Sequence, residues 1–64
     1  MVKINGENTD AAGKTVLEYL SLSGYDPKRI AVEINGDIIP KTRYNEIVLS
    51  DGSDVEIVNF VGGG

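Results

Sequence analysis

The amino-acid sequence predicts an α+β fold in which one helix covers one face of a mixed sheet of four or five strands. Apolar and polar residues alternate near the start, the middle and the end of the chain, as they do in half-buried strands. One intervening segment has apolar residues at spacings of three and four, which is typical of an amphipathic helix. With 64 residues, the chain has room for one domain.

The first predicted strand covers residues 2–5, where Val2 and Ile4 point to the same side of the sheet. Gly6 then permits a turn. Residues 7–14 are mostly polar and fit either a second short strand or a loop.

A helix is predicted over residues 15–24. Thr15 is a favourable N-cap residue, and Glu18 three positions later completes the pattern of a capping box. Gly24 suits the left-handed position that closes a helix, and Pro27 opposes its continuation. The predicted apolar face comprises Val16, Leu17, Tyr19 and Leu20.

The clearest strand lies at residues 30–34, where every second residue is a β-branched apolar one. Asn35 and Gly36 both tolerate positive φ, so they predict a tight hairpin turn. Residues 37–39 form the returning strand. Pro40 lacks the N–H that a sheet ladder needs, which places this strand at an edge.

The remaining segments complete the predicted fold. Residues 47–49 form a small apolar anchor, and residues 50–53 form a turn rich in small polar residues. The last strand covers residues 54–61 and pairs with the first strand. This arrangement is that of a ubiquitin-like β-grasp domain over residues 1–61, followed by a flexible glycine tail at 62–64.

Composition excludes several kinds of chemistry. The chain has no Cys and no His, so it has no disulfide, no thiol nucleophile, no imidazole base and no Cys/His zinc site. The acidic residues near Asp51 lack the ligand spacing of a calcium loop. We therefore expect no bound metal, no bound cofactor and no enzymatic activity of the chain itself.

Charge and hydropathy limit the partners and the location. The net charge is −4, and the excess of acidic residues lies in the C-terminal half. No basic stripe suits a nucleic-acid backbone, whereas a protein with a basic surface fits; the acidity also serves solubility. The sequence shows no secretory signal and no membrane-spanning run, so we expect a cytoplasmic protein.

The glycine tail is the distinctive chemical feature. Gly62, Gly63 and Gly64 carry no side chains, so they can adopt any backbone conformation and enter a narrow channel. Extended, three residues reach about 10 Å. A flexible tail that presents a carboxylate on a compact body is suited to carrying an acyl group. The alternative is a frayed terminus without a role.

Several segments together resemble the ThiS family, the small sulfur carrier proteins of thiamine biosynthesis. The resemblance lies in the hairpin at residues 30–40 and in the last strand and tail at 51–64. The start of the chain at 2–7 and the beginning of the helix at 15–17 also fit. The likeness thus extends over essentially the whole chain.

The resemblance implies a function and a set of partners. A ThiF-like activating enzyme, using its own ATP and Mg²⁺, would adenylate the Gly64 carboxylate. A sulfur donor such as a cysteine desulfurase would then supply the sulfur of a thiocarboxylate. A ThiG-like thiazole synthase would receive that sulfur for the thiazole ring. In this scheme the chain is a carried co-substrate.

Three alternatives remain open from the sequence. The small subunit of molybdopterin synthase has the same fold and terminal chemistry. A ubiquitin-like modifier would instead be joined to lysines of target proteins. An interaction domain with an idle tail would use only its surface.

Strand parity predicts a docking surface near the tail. Val55 and Ile57 share the inward side, because a charged Glu56 is costly to bury. Val58 and Phe60 therefore point outward and form an apolar patch for partner binding, to which we add Val61 beside the glycines. The alternative for Phe60 is that it packs over a loop.

Overall fold

A computed structural model describes residues 1–59 and confirms the predicted α+β fold. Its sheet has five strands in the order β2-β1-β5-β3-β4, and one α-helix lies within the described residues. The elements are β1 (Val2–Ile4), β2 (Glu7–Thr9), α1 (Val16–Leu22), β3 (Ile30–Ile34), β4 (Asp37–Ile39) and β5 (Asp54–Asn59), with single 3₁₀ turns at Pro27–Arg29 and Lys41–Arg43.

The sheet is mixed because its first and last strands run in the same direction. β1 pairs in parallel with β5, while the β1–β2, β3–β4 and β3–β5 pairs are antiparallel. β5 lies at the centre of the sheet. Its parallel pairing with β1 confirms the predicted pairing of the first and last strands. This is the topology of the ubiquitin-like β-grasp fold. The predicted strand end at residues 60–61, the domain boundary after residue 61 and the glycine tail lie outside the described residues.

Two Asn-Gly turns build the two hairpins. Asn5 and Asn35 both have a φ of 51°, and the following Gly6 and Gly36 have φ values of 85° and 88°. Positive φ at both central residues is the requirement of a type I′ turn, whose twist matches that of the strands it joins. The first turn settles the open question of residues 7–14: Glu7–Thr9 returns as a strand, and a loop follows.

The helix begins with the predicted capping box. The Thr15 N–H donates to Glu18 Oε1 over 2.8 Å, and the Glu18 N–H donates to Thr15 Oγ1 over 3.1 Å. These bonds satisfy two N–H groups that a helix start would otherwise leave without partners. They also lower the pKa of the Glu18 carboxyl, the backbone bond from Thr15 having the largest effect. Gly24, with a φ of 79°, follows the helix end.

The core lies between the helix and one face of the sheet. Val16 and Leu20 are the buried helix residues, and they pack on the inward side chains of the strands. The buried apolar set comprises Val2, Ile4, Ala11, Val16, Leu20, Ile30, Val32, Tyr44, Leu49, Val55 and Ile57.

The predicted apolar face of the helix was wrong for one residue, Leu17. Leu17 is exposed, and Tyr19 is only half-buried. The reason is angular: Val16 and Leu20 lie four positions apart and point the same way, whereas Leu17 is turned about 100° from Val16. Leu17 instead lines a cleft beside the helix.

The segment between β4 and β5 closes the core from the side. The N–H groups of Val16 and Leu49 donate to Ile47 O and Lys14 O over 2.9 and 2.8 Å. The predicted anchor at residues 47–49 is therefore correct for Leu49, which is buried, and partly for Ile47. It was wrong for Val48, which is exposed. The seven-residue helix α1 is too short to cross a bilayer, and no other α-helix occurs in residues 1–59.

Candidate functional site

The predicted site lies at the end of β5 and in the residues that follow it. Of the predicted partner-binding residues, Val58 belongs to the described part of the chain. Phe60 and Val61 lie outside the described residues, as do Gly62, Gly63 and Gly64, which carry the predicted acyl chemistry. Val58 and its surroundings on the sheet are therefore the part of the site whose geometry is known.

The two sides of β5 differ as strand parity predicts. Val55 and Ile57 are 2% and 8% exposed and belong to the core, whereas Val58 is 47% exposed. Glu56 is exposed on the same outer side as Val58. The helix covers the opposite face, so the outer face is left open around Val58.

Cross-strand neighbours extend this outer surface over β3 and β4. Val58 lies opposite Ala31, and Glu56 lies opposite Glu33. On the far side of β3, Glu33 lies opposite Ile38, which is 74% exposed. We call the surface formed by these five residues the outer patch.

The outer patch combines two apolar ends with a negative centre. Val58 and Ile38 offer exposed apolar side chains, and the carboxylates of Glu33 and Glu56 occupy neighbouring positions between them. Like charges placed directly opposite each other are unfavourable unless another group compensates them. A basic side chain from a partner would supply that compensation, while the valine and isoleucine would be buried by the same contact.

Sequence reasoning missed Ile38 and Glu33 as members of this surface. The signal was present in the turn: a two-residue Asn-Gly loop pairs Ile34 with Asp37, and therefore Glu33 with Ile38. Because directly opposite residues point to the same face of a sheet, Ile38 lies on the outer face together with Glu33.

A cleft on the helix side of the sheet is a second concave surface. It has a volume of about 310 Å³ and is lined by Leu17, Pro27, Lys28, Lys41, Thr42, Tyr44 and Asn45. The Lys41 Nζ donates to the Lys28 carbonyl oxygen over 2.9 Å, which holds the two 3₁₀ turns together. The cleft and the outer patch lie on opposite faces of the sheet.

The described residues bring together no catalytic constellation. Within residues 1–59, no group of three acidic side chains is arranged to hold a metal ion. Ser50 Oγ and Ser53 Oγ lie 3.1 Å apart, but the sequence has no imidazole to activate either hydroxyl. The arrangement of the outer patch is suited to protein binding.

Comparison with known proteins gives consistent family relationships. The family model described as the ThiS family matches residues 2–64. A sulfur carrier protein ThiS of Bacillus subtilis is 38% identical over 66 residues, with all of both chains covered. A thiazole synthase of Paramagnetospirillum magneticum is 44% identical over 62 residues, which are 95% of this chain and 19% of the synthase.

A second thiazole synthase, from Magnetococcus marinus, is 36% identical over 64 residues. The chain thus spans about a fifth of the length of each synthase. Among solved structures, the crystal structure of a thiamine biosynthesis protein (ThiS) from Geobacter metallireducens is similar with a TM-score of 0.77 and 31% identity. The match covers 98% of this chain and 97% of that protein.

Proposed function

The chain belongs to the ThiS family, and from this we propose that it is a sulfur carrier of thiamine biosynthesis, with the sulfur held as a thiocarboxylate on Gly64. The observation that carries the proposal is the family match, which runs from residue 2 through the three glycines to residue 64. The full-length similarity to a sulfur carrier protein and the shared fold support it.

The proposed chemistry begins with activation of a carboxylate, which is a poor electrophile. One oxygen of the Gly64 carboxylate attacks the α-phosphorus of ATP on a ThiF-like enzyme, and pyrophosphate leaves. The terminal sulfur of a persulfide on the donor protein then attacks the acyl carbon, and AMP leaves. A thiol cleaves the resulting S–S bond, which gives the Gly64 thiocarboxylate and a disulfide. ATP and Mg²⁺ are used by the activating enzyme.

The thiocarboxylate is the form that would act in the pathway. Its sulfur is nucleophilic, so it can attack an electrophilic carbon during formation of the thiazole ring. We propose a ThiG-like thiazole synthase as the acceptor. The similarity of this chain to about a fifth of two thiazole synthases supports a carrier domain and a synthase that act together.

The outer patch is the proposed docking surface for these larger partners. It includes Val58 of β5, which precedes Gly64 by six residues in the sequence, so a partner that contacts Val58 would be within reach of the reacting carboxylate. The carboxylates of Glu33 and Glu56 favour a partner with basic side chains at the matching positions.

Intact mass spectrometry tests the carrier proposal directly. We expect incubation with the cognate activating enzyme, ATP and a sulfur source to raise the mass by the exchange of one oxygen for one sulfur. The chain has no Cys, so the terminal carboxylate is the site expected to hold this sulfur. A reaction without ATP is the control. An unchanged mass with an enzyme of verified activity would refute the proposal, and a product linked to target lysines would indicate a protein modifier.

Extension of the chain by one alanine after Gly64 tests how the tail is used. The carboxylate would move by about 3.5 Å, and a methyl group would enter a channel suited to glycine. A misplacement of ~1 Å can already slow a reaction about a hundredfold. We therefore expect normal folding by circular dichroism and loss of adenylation. Full adenylation of the extended protein would show that the activating enzyme does not depend on the position of the terminus.

A further inference from the structure

The two Asn-Gly turns of this protein bond to two different positions of the same strand, β5. At the start of β5, the Asn35 N–H donates to Asp54 O over 2.8 Å, and the Asp54 N–H donates to Asn35 Oδ1 over 2.9 Å. Farther along β5, the Ile57 N–H donates to Asn5 Oδ1 over 2.8 Å, and Asn5 Nδ2 donates to Ile57 O over 3.3 Å. Asn5 therefore acts in the second half of β5, two residues before its last residue, Asn59.

The side chain of Asn5 takes the place of a strand residue. The ladder between β1 and β5 ends with the pair Ile4 and Val55, followed by a bond from the Asn5 N–H to Val55 O of 2.9 Å. Beyond this point the chain turns away through Gly6. The Asn5 amide supplies one donor and one acceptor, as a peptide group would, and so extends the pairing to Ile57.

Asparagine is suited to this position for two reasons. Its φ of 51° lies in the left-handed region, which asparagine, aspartate and glycine tolerate best. Its amide can donate and accept at the same time, whereas an aspartate can only accept and a glycine can do neither. The residue therefore serves the turn and the neighbouring strand together.

We propose that Asn5 is a positioning residue, which holds the second half of β5 in place and so limits where Gly64 can be delivered to the activating enzyme; this rests on the proposed carrier function. On its other side, β5 is paired with β3 as far as the pair Ile30 and Asn59. Asn5 completes the support on the β1 side at Ile57. The five residues from 60 to 64 span at most about 18 Å, so the position of the strand end limits where the carboxylate can reach.

The matched pair Asn5→Gly and Asn35→Gly tests this role. Each variant keeps a residue that tolerates positive φ and removes a side chain that bonds to β5, at Ile57 in the first variant and at Asp54 in the second. By hydrogen exchange, we expect the Ile57 amide to exchange about fivefold faster in Asn5→Gly, and the Asp54 amide to be the affected one in Asn35→Gly.

Adenylation kinetics separate positioning from stability. In ATP–pyrophosphate exchange at saturating carrier, we expect kcat to fall about tenfold for Asn5→Gly and to stay near the wild-type value for Asn35→Gly. Asn5→Asp keeps the acceptor for the Ile57 N–H and should recover part of this loss. Equal kcat values for the two glycine variants, or no recovery with aspartate, would overturn the proposal.

The two readouts also separate this inference from the carrier function. If wild-type protein is not adenylated by an active enzyme, the proposed function fails, while hydrogen exchange still reports whether Asn5 holds Ile57. If wild-type protein is adenylated and the Ile57 amide exchanges equally fast in wild type and Asn5→Gly, the carrier function stands and the positioning role is wrong.

Discussion

Tyr44 is the side chain whose environment is least expected from its chemistry. The residue is 2% exposed, and within residues 1–59 its Oη atom is buried with no hydrogen-bond partner. Loss of solvation on burial raises the pKa of the Tyr44 phenol above its ordinary value of 10.0. The nearby backbone of Val32 opposes this rise without completing a bond of good geometry. The ring therefore stabilises the core while its hydroxyl opposes burial.

We expect Tyr44→Phe to keep or increase stability. Removal of an unsatisfied buried hydroxyl should leave the free energy of unfolding at neutral pH unchanged or raise it by up to about 1 kcal/mol. The raised pKa of the Tyr44 phenol makes the free energy of unfolding of the wild-type protein depend on pH. Because the unfolded phenol ionises first, wild-type protein loses stability as the pH rises above about 10, and the variant lacks this contribution.

Urea unfolding of both proteins at neutral and at high pH measures the two effects. Other ionisable groups are common to wild type and variant, so they cancel in the difference. A variant less stable than wild type by more than about 1 kcal/mol would show that the hydroxyl has a partner in solution.

The structural roles of other residues could be predicted from the sequence more readily than the burial of Tyr44. Thr15, Glu18 and Asn35 act through neighbours within a few positions, so their roles can be predicted from local spacing. Tyr44 lies in a polar stretch without a strand or helix period, and its burial depends on distant elements that close over it. No local pattern indicates such a contact.

At the scale of elements, the helix shows which part of an apolar pattern is reliable. Its start was predicted to the residue because a capping box is a local motif. The four-residue spacing of Val16 and Leu20 identified the buried side, whereas the adjacent Leu17 did not belong to it. In a seven-residue helix the buried stripe is narrow, so one misplaced leucine changes the predicted face.

The helix offers a matched pair of leucines for a stability test. Leu20 is 0% exposed and Leu22 is 73% exposed. We expect Leu20→Ala to lower the free energy of unfolding by ~2–5 kcal/mol, because it leaves a cavity in the core. That is a large part of the stability of a 64-residue domain, at roughly 0.05–0.15 kcal/mol per residue.

Leu22→Ala is the control and should change stability by no more than about 0.5 kcal/mol. Thermal and urea denaturation followed by circular dichroism measure both variants. Equal losses for the two leucines would contradict the packing described for the helix.

At the scale of the whole molecule, the pairing of the first and last strands could be predicted while part of the sheet could not. Apolar residues on both faces of the last strand are typical of a central strand or of an interface strand, and the structure places β5 between β1 and β3. The short edge strand Glu7–Thr9 carries no apolar alternation. It forms because the first Asn-Gly turn returns the chain alongside β1, so pairing with a neighbour decides its conformation.

The outer patch also belongs to this scale, because three strands build it. Ile38 comes from β4, Glu33 from β3 and Val58 from β5. The sequence placed the excess of negative charge in the C-terminal half, and the register brings Glu33 and Glu56 together at the centre of the patch. A partner with basic side chains is favoured by this arrangement, and binding through it should weaken as ionic strength rises.

The two exposed valines allow a controlled test of the outer patch. Val58 is 47% exposed on this surface, and Val48 is 55% exposed in the segment between β4 and β5. We expect Val58→Lys to weaken binding to the activating enzyme or to thiazole synthase at least tenfold. The substitution removes an apolar contact and places a positive charge opposite the basic groups of the partner.

Val48→Lys makes the same chemical change at a similar exposure and should leave both affinities near the wild-type values. Phe60→Asp, in the residues next to Val58, is also expected to weaken binding without unfolding the protein. Titration calorimetry measures the affinities, and circular dichroism checks the fold. If Val58→Lys binds as wild type does while Val48→Lys does not, the docking surface lies around Val48 in the segment between β4 and β5. The carboxylates of the outer patch would then have no role in partner choice.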